Sequence, residues 1–211
     1  MTLVLDRLSV LTPAGDALFG ALDLRIAPGQ VISVTGPSGV GKSTLLDAVG
    51  GHLARGFHVS GRVMLDGRDV TDLPAEARGI GVMFQHAVMF PHLSVADNLA
   101  FGLSPDIRGR AARHDAVARA LDQAGLAGMG GRDPATLSGG QRARAALMRT
   151  LLARPRAVLM DEPFSSLDPD RRHEIRQFVF STVRRSAIPA LLVTHDRQDA
   201  DAAGGPVVVL A

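Results

Sequence analysis

The chain divides into short apolar runs and longer segments of helical periodicity. Seven runs rich in Leu, Ile and Val predict strands, at residues 3–10, 22–26, 30–35, 63–67, 79–84, 157–160 and 190–194. Between residues 94 and 153 the apolar positions follow helical spacing instead, and further helices are predicted for residues 43–49 and 169–185. Strands that alternate with helices indicate a mostly parallel α/β sheet, into which the helical middle is inserted.

The composition indicates the cellular compartment in which this fold is expected and excludes some kinds of site. The 211 residues are 46% hydrophobic, which is ample for a core, yet no apolar run is long enough to span a membrane. The N-terminus lacks the basic-then-apolar layout of a secretory signal, so a cytoplasmic protein is expected. The absence of cysteine excludes disulfides and thiolate-ligated metals.

Charge gives no indication of a nucleic-acid partner. The formal net charge is only +2, Trp and Tyr are absent, and the eight Phe are scattered rather than interleaved with basic residues. The sequence pI of about 10.2 is high because, with no Tyr, no Cys and one Lys, almost nothing titrates at alkaline pH. We therefore expect no binding to nucleic acid.

The single lysine marks the most specific motif of the chain. Lys42 lies in Gly36-Pro37-Ser38-Gly39-Val40-Gly41-Lys42-Ser43-Thr44, whereas every other basic residue is arginine. The spacing G-x-x-x-x-G-K-S/T is that of a phosphate-binding loop, in which backbone N–H groups cradle phosphates, the lysine reaches the β and γ oxygens, and the Ser hydroxyl contacts Mg²⁺. A strand before the loop and a helix after it bring the anion to a helix N-terminus.

A second glycine-rich segment also precedes a helix. In Leu137-Ser138-Gly139-Gly140-Gln141 the two glycines allow close approach of an anion to the backbone, and Ser138 offers a hydroxyl. The helix predicted from about Gln141 to Leu152 directs its positive end toward the same place. Taken alone, this pattern fits an ordinary helix N-cap equally well.

Polar side chains follow three of the predicted strands. Asp161 and Glu162 end the strand at 157–160, where one carboxylate can hold Mg²⁺ and the other can orient an attacking water. A solvated acidic loop would have the same sequence, so the catalytic interpretation depends on the presence of Lys42. Gln85 and His195 also follow strands, and an amide at a strand end can reach Mg²⁺ or water.

Together these residues resemble the ATP-binding cassette (ABC) ATPases. The family's elements stand in order: Walker A at 36–44, the Q-loop at Gln85, the signature at 137–141, Walker B at 157–161 with Glu162, the D-loop at 165–168 and the switch residue His195. Residues 84–95 and 161–168 resemble the ATPases of thiamine, polyamine and molybdate uptake systems, and residues 133–144 resemble the YnjD-type cassettes.

The resemblance implies a fold and a domain organisation. The fold would be an α/β P-loop NTPase, with a RecA-like, mostly parallel sheet and an antiparallel N-terminal β part. Residues 1–85 and 155–211 would form this core, and about 86–154 would form an inserted α-helical subdomain. The whole chain, 1–211, would be one ABC ATPase domain.

The resemblance also implies a role for each site residue. ATP and Mg²⁺ would be the cofactors; Mg²⁺ would lie near Ser43, Gln85 and Asp161. Glu162 would be the general base or would position the water, Lys42 would contact the phosphates, and His195 would sense the γ-phosphate. In a head-to-tail homodimer, each ATP would lie between the Walker A loop of one copy and Ser138, Gly139, Gly140 and Gln141 of the other, and Asp168 would link the two copies.

The implied function is that of the ATP-hydrolysing, energy-coupling subunit of a bacterial ABC importer. Gln85 to Val95 would form the groove for a helix of a transmembrane permease, and a substrate-binding protein would be an indirect partner. The chain would lie in the cytoplasm, peripherally on the inner face of the membrane. The transported substrate is not encoded here, because the membrane and binding subunits select it.

Other functions stay open at this point. A soluble ABC ATPase of translation or DNA repair usually carries two cassettes or coiled-coil insertions, which this chain lacks. An unrelated P-loop kinase would explain the Walker A loop but not the signature or His195, and a cassette that binds ATP without turnover would not need Glu162. The segment near Leu11-Thr12-Pro13 lacks the aromatic residue that stacks on adenine in the family, and Phe19 fits a core position better.

Overall fold

Nine strands and seven α-helices occur in the described part of the chain. The computed structural model describes the backbone of residues 1–211 and every side chain except that of Asp170. The strands are β1 (Leu3–Leu11), β2 (Leu22–Ile26), β3 (Val31–Thr35), β4 (His58–Leu65), β5 (Arg68–Asp69), β6 (Ile80–Met83), β7 (Ala157–Asp161), β8 (Ala190–Val193) and β9 (Val207–Val209). The helices are α1 (Lys42–Gly50), α2 (Ala75–Arg78), α3 (Val95–Phe101), α4 (Arg110–Gln123), α5 (Gly139–Leu152), α6 (Pro169–Arg185) and α7 (Arg197–Ala203).

The chain folds into two compact units. The first comprises residues 1–82, 156–162 and 180–211, and the second comprises residues 83–155 and 163–179. Both sheets belong to the first unit, whereas α3, α4 and α5 belong to the second. The second unit therefore takes in the stretch 163–179 in addition to the helical middle of the sequence.

A five-stranded sheet of order β6-β7-β8-β3-β9 forms the centre of the first unit. Parallel pairing joins β8 to both β3 and β7, and β3 to β9. The central strands β3, β7 and β8 are buried along almost their entire length, which explains why each reads as a continuous apolar run rather than an alternating one. The predicted α/β fold with a mostly parallel sheet is confirmed.

A four-stranded antiparallel sheet of order β2-β1-β4-β5 completes the first unit. Its residues Leu3, Leu5 and Leu8 pack in one hydrophobic cluster with Val34 and Leu159 of the parallel sheet. Phe19 belongs to this cluster and is only 3% exposed, as expected of a core position. The N-terminal antiparallel part is thus anchored to the sheet that carries the phosphate-binding loop.

The second unit has a separate hydrophobic core made by its helices. Leu99 of α3, Leu121 of α4 and Met148 of α5 meet in it, together with Leu126 and Leu137 from the connecting segments. Apolar side chains at helical spacing along 95–152 predicted this packing, because each helix buries one stripe.

Several boundaries and elements differ from the sequence prediction. The strand predicted at 63–67 is only the second half of β4, because the polar segment from His58 is held by pairing with β1. The signature helix begins at Gly139 rather than Gln141. Four elements were not predicted: β5, α2, α7 and β9. They are short or polar, and β9 exists because β3 supplies its hydrogen-bond partners.

A buried arginine holds the end of α1, the helix that follows the phosphate-binding loop. The Arg78 guanidinium donates to the carbonyls of Ala48 and Val49 at 2.8 and 2.9 Å, and also to Leu73 O and Thr71 O at 2.8 and 2.5 Å. Carbonyls in the last turn of a helix have no partner within the helix, so Arg78 satisfies them. Burial lowers the pKa of Arg78, and the Asp72 carboxylate partly offsets that effect.

Replacing this guanidinium should destabilise the first unit. Arg78→Met leaves the buried carbonyls of α1 without partners, so we expect the free energy of unfolding to fall by about 2–4 kcal/mol. Urea unfolding followed by circular dichroism measures this change. Arg68→Met, at an exposed site on β5, is the matched control and should change stability little. Equal losses in the two variants would contradict the role given to Arg78.

Candidate functional site

The phosphate-binding loop joins β3 to α1 and adopts a backbone that requires glycine. Gly36 and Gly41 have φ of 150° and 99°, and a Cβ at position 36 would lie 2.6 Å from the Leu210 carbonyl oxygen. Helix α1 has no side-chain cap and no acidic residue in its first turn. Its first N–H groups and its positive end therefore face the loop, an arrangement that fits a phosphate group.

The ammonium of Lys42 is held over this loop. Its Nζ donates to the carbonyls of Gly36 and Pro37 at 2.9 and 2.7 Å, and the residue is only 9% exposed. The loop's own carbonyls thus fix the single lysine of the chain beside the first turn of α1, where its charge adds to that of the helix end.

Ser43 and Asp161 form an oxygen-rich pair at the same edge of the sheet. The Ser43 hydroxyl donates to Asp161 Oδ1 at 3.3 Å. Burial raises the pKa of Asp161, the carboxylates of Glu162 and Asp47 raise it further, and Ser43 and Lys42 act in the opposite direction. A hydroxyl and a carboxylate are ligands that Mg²⁺ accepts. Among the described residues no cluster of three His, Asp or Glu could hold a metal.

Glu162 and His195 meet beside this pair. His195 Nδ1 lies 2.9 Å from Glu162 Oε1. Glu162 has a φ of 42°, a left-handed conformation that costs a non-glycine residue roughly 1–3 kcal/mol, and its N–H donates to Val193 O at 2.9 Å. Backbone strain of this kind persists only where the surrounding structure imposes it. With this backbone conformation, the carboxylate of Glu162 contacts His195.

Two residues that sequence reasoning missed support His195. The Thr194 hydroxyl donates to Asp199 Oδ2 at 2.9 Å and accepts from the Asp196 N–H at 3.1 Å, and both Thr194 and Asp199 are buried. These bonds fix the backbone on both sides of the histidine. The local signal was a Thr directly after an apolar strand with an Asp five residues later, a spacing too common to be diagnostic.

The signature segment forms a complete helix cap. Ser138 Oγ accepts from the Gln141 N–H at 3.3 Å, and Gln141 Oε1 accepts from the Ser138 N–H at 2.9 Å. This capping box uses the Gln141 side chain, for which the family resemblance implies nucleotide binding, as a structural partner of Ser138. Gly140 lies against Ile175, whose Cδ1 would be 3.0 Å from a Cβ at that position.

The remaining predicted residues also lie in the second unit. The Gln85 carbonyl accepts from the Ser166 hydroxyl at 3.3 Å, so the Q-loop and the D-loop are joined. The Asp168 carbonyl accepts from the Arg171 and Arg172 N–H groups at the start of α6. The structure thus brings the predicted residues together in two groups. The group in the first unit contains Lys42, Ser43, Asp161, Glu162 and His195.

Residues 19–165 match the family model described as ABC transporter. The chain belongs to this family. It is 48% identical over 181 residues to the uncharacterized ABC transporter ATP-binding protein YnjD of Escherichia coli (strain K12), a match that covers 86% of this chain and 83% of the relative. The predicted family and the predicted ABC-type, nucleotide-binding ATPase domain are confirmed.

Other relatives are ATP-binding proteins of import systems. The thiamine import protein ThiQ of Cereibacter sphaeroides is 42% identical over 93% of this chain and 82% of its own length. The Fe(3+) import protein FbpC of Agrobacterium fabrum is 40% identical over 90% of this chain, which spans about half of that relative, 53%. These relatives support the predicted role as an energy-coupling subunit of an importer.

A solved structure confirms the fold. CbiO1 from Clostridium perfringens, part of the ABC transporter complex CbiONQ, superposes with a TM-score of 0.86 at 26% sequence identity. The match covers 99% of this chain and 84% of CbiO1. Among the described residues, none of the helices combines the length and the apolar character needed to cross a bilayer.

The half-buried carboxylate of Asp161 should make the stability of the protein depend on pH. The pKa of Asp161 is raised above 3.8 in the folded protein, so its ionised form opposes folding above that raised pKa and ceases to do so as the pH falls. In buffer free of Mg²⁺ and nucleotide, Asp161→Asn should be more stable than the parent at pH 7, and the difference should shrink toward acidic pH. Urea midpoints across this range measure it.

Asp16→Asn, in an exposed turn, serves as the control and should show no such pH-dependent gain. A variant Asp161→Asn that is less stable than the parent at pH 7 would contradict the assignment.

Proposed function

We propose that two copies of this chain bind MgATP head to tail, hydrolyse it, and thereby drive a transmembrane permease of an importer. The observation that supports the proposal best is the group of side chains at one edge of the parallel sheet. There, Lys42, Ser43 and Asp161 lie with the Glu162–His195 contact at the carboxyl ends of β3, β7 and β8. This set combines anion binding, metal binding and a base.

Each of these site residues in the first unit has a distinct task in hydrolysis. The loop N–H groups and the Lys42 ammonium bind the β- and γ-phosphates, and Ser43 and Asp161 would hold Mg²⁺, which supplies charge stabilisation when bound. Glu162 accepts a proton from the water that attacks the γ-phosphorus, and the bond to the bridging oxygen breaks as ADP leaves. His195 keeps the Glu162 carboxylate oriented through their 2.9 Å contact.

The second unit supplies the site of the partner copy. The N-terminus of α5 carries no acidic residue in its first turn, and Ser138 and Gly139 at this end are partly exposed. A helix end of this kind attracts the terminal phosphates of a nucleotide that the other copy holds. The D-loop contact between Ser166 and the Q-loop supports a linkage between nucleotide binding and the segment that follows Gln85.

Apolar side chains around the Q-loop support the permease as a partner. Phe84 and Val88 are 55% and 58% exposed, and Phe101 is 70% exposed. The buried Asn98 side chain bonds to both backbone groups of Phe90 and to the Leu93 carbonyl, so the loop is held in shape. A preformed apolar surface of this kind suits a helix from a membrane subunit, and it would place the chain on the inner face of the membrane.

Removing the proposed base should stop hydrolysis while nucleotide binding persists. In Glu162→Gln we expect the Mg²⁺-dependent ATPase rate to fall by roughly 100-fold or more, because the amide cannot accept the proton. Phosphate release and equilibrium ATP binding measure the two effects. Glu76→Gln, an exposed glutamate of the same unit, should retain the parental rate. An undiminished rate in Glu162→Gln would exclude it as the base.

The importer role is tested by the partners of the chain. Affinity purification from gently solubilised native membranes, followed by mass spectrometry, should recover a multi-span permease in stoichiometric amount. Replacing the exposed Phe101 by Ser should reduce that recovery, whereas the ATPase rate of the isolated chain should not change. Association only with ribosomes or DNA would favour a soluble ABC ATPase instead.

A further inference from the structure

A cavity of about 190 Å³ lies beside the start of the signature helix, wholly within the second unit. Most of its lining comes from the start of α5 and from α6, including Ser138, Gly140, Gln141, Arg144, Arg171 and Glu174. The cavity thus joins a helix N-terminus to two guanidinium groups and one carboxylate. The capping box, described above, explains Ser138 and Gln141 but does not involve the three charged residues.

Arg144 is committed to neighbours within the unit. Its Nη2 donates to the Glu174 carboxylate, its Nη1 donates to the Ala124 carbonyl at 3.3 Å, and its guanidinium lies 5.3 Å from the centre of the Phe178 ring. The side chain is only 19% exposed, and its buried Nε has no hydrogen-bond partner among the described residues. Arg144 therefore tethers the signature helix to α6, and Glu174 neutralises its charge.

Arg171 differs from Arg144 in each of these respects. It is exposed, and among the side chains that the structure describes none forms an ion pair or a hydrogen bond with its guanidinium. Because Glu174 is engaged with Arg144, none of the described carboxylates that line the cavity compensates the charge of Arg171. The positive end of α5 adds to the same field.

We propose that Arg171 contacts the triphosphate of a nucleotide held by the second copy, and that Glu174 limits the strength of this contact. The proposal rests on the head-to-tail dimer proposed above. A guanidinium matches phosphate oxygens through paired N–H donors, and a freely exposed one can turn toward them without breaking an existing ion pair. Glu174 lowers the positive potential of the cavity both directly and through Arg144.

The two residues should therefore affect ATP in opposite directions. Arg171→Gln should raise the KM for ATP by about fivefold, because one charge near a polyanion is lost, and it should leave kcat nearly unchanged. Glu174→Gln should lower the KM by about two- to threefold, because the cavity becomes more positive. Arg119→Gln, an exposed arginine on α4 of the same unit, is the matched control and should keep the parental KM.

A second measurement separates a contact across the dimer from any effect on the chain's own phosphate-binding loop. In the Glu162→Gln background, light scattering gives the ATP concentration at which half of the protein is dimeric. Arg171→Gln should raise that concentration about fivefold, and Arg171→Lys should restore part of the loss. Binding of a fluorescent ATP analogue to the dilute monomer should be the same in all variants.

The outcomes distinguish this inference from the function on which it rests. If the parent chain neither hydrolyses ATP nor dimerises with it, both proposals are wrong. If the parent dimerises but Arg171→Gln and Arg119→Gln need the same ATP concentration, only the role of Arg171 is overturned. Should Glu174→Gln fail to fold once Arg144 loses its partner, the Arg171 variants decide the question alone.

Discussion

The parallel register of three buried strands is the constraint on which the proposed catalytic group depends. The strands β3, β7 and β8 run in the same direction, and Val193 of β8 lies opposite both Val34 of β3 and Asp161 of β7. The residues that follow the three strands therefore emerge at the same edge of the sheet. The phosphate-binding loop, Glu162 and His195 are those following residues. Burial of the apolar strands therefore supplies the free energy that holds these charged groups close together. The charged groups alone would not stay in this arrangement.

The same edge carries costs that the rest of the first unit must offset. Burial raises the pKa of Asp161, Glu162 holds a left-handed backbone, and Gly36 has no room for a side chain. None of these features stabilises the fold, and each keeps a charge or a backbone group where a phosphate and a metal would lie. Burial of Arg78, in contrast, stabilises the fold. Its guanidinium loses contact with water but donates hydrogen bonds to carbonyls in the last turn of α1.

The second unit relies on polar groups that fix loops rather than on charges that bind. Asn98 holds the segment after the Q-loop, the capping box orders the start of α5, and Arg144 ties that helix to α6. Side chains that make several hydrogen bonds in this way define the shape of a loop that has little apolar packing of its own. Arg171 differs from them, because its guanidinium is exposed and pairs with none of the side chains that the structure describes.

The sequence by itself determined the family and the central strands of the core, and it named nearly all of the side chains that we propose for catalysis, because motif spacing and apolar runs are local signals. It could not determine that Glu162 meets His195, that Thr194 and Asp199 support the histidine, or that Gln141 caps its own helix, since these contacts join distant residues or depend on rotamers. It also missed β9 and the first half of β4, whose residues become strands only because β3 and β1 offer them hydrogen bonds. Local pattern thus specifies which groups exist, and tertiary pairing decides which of them touch.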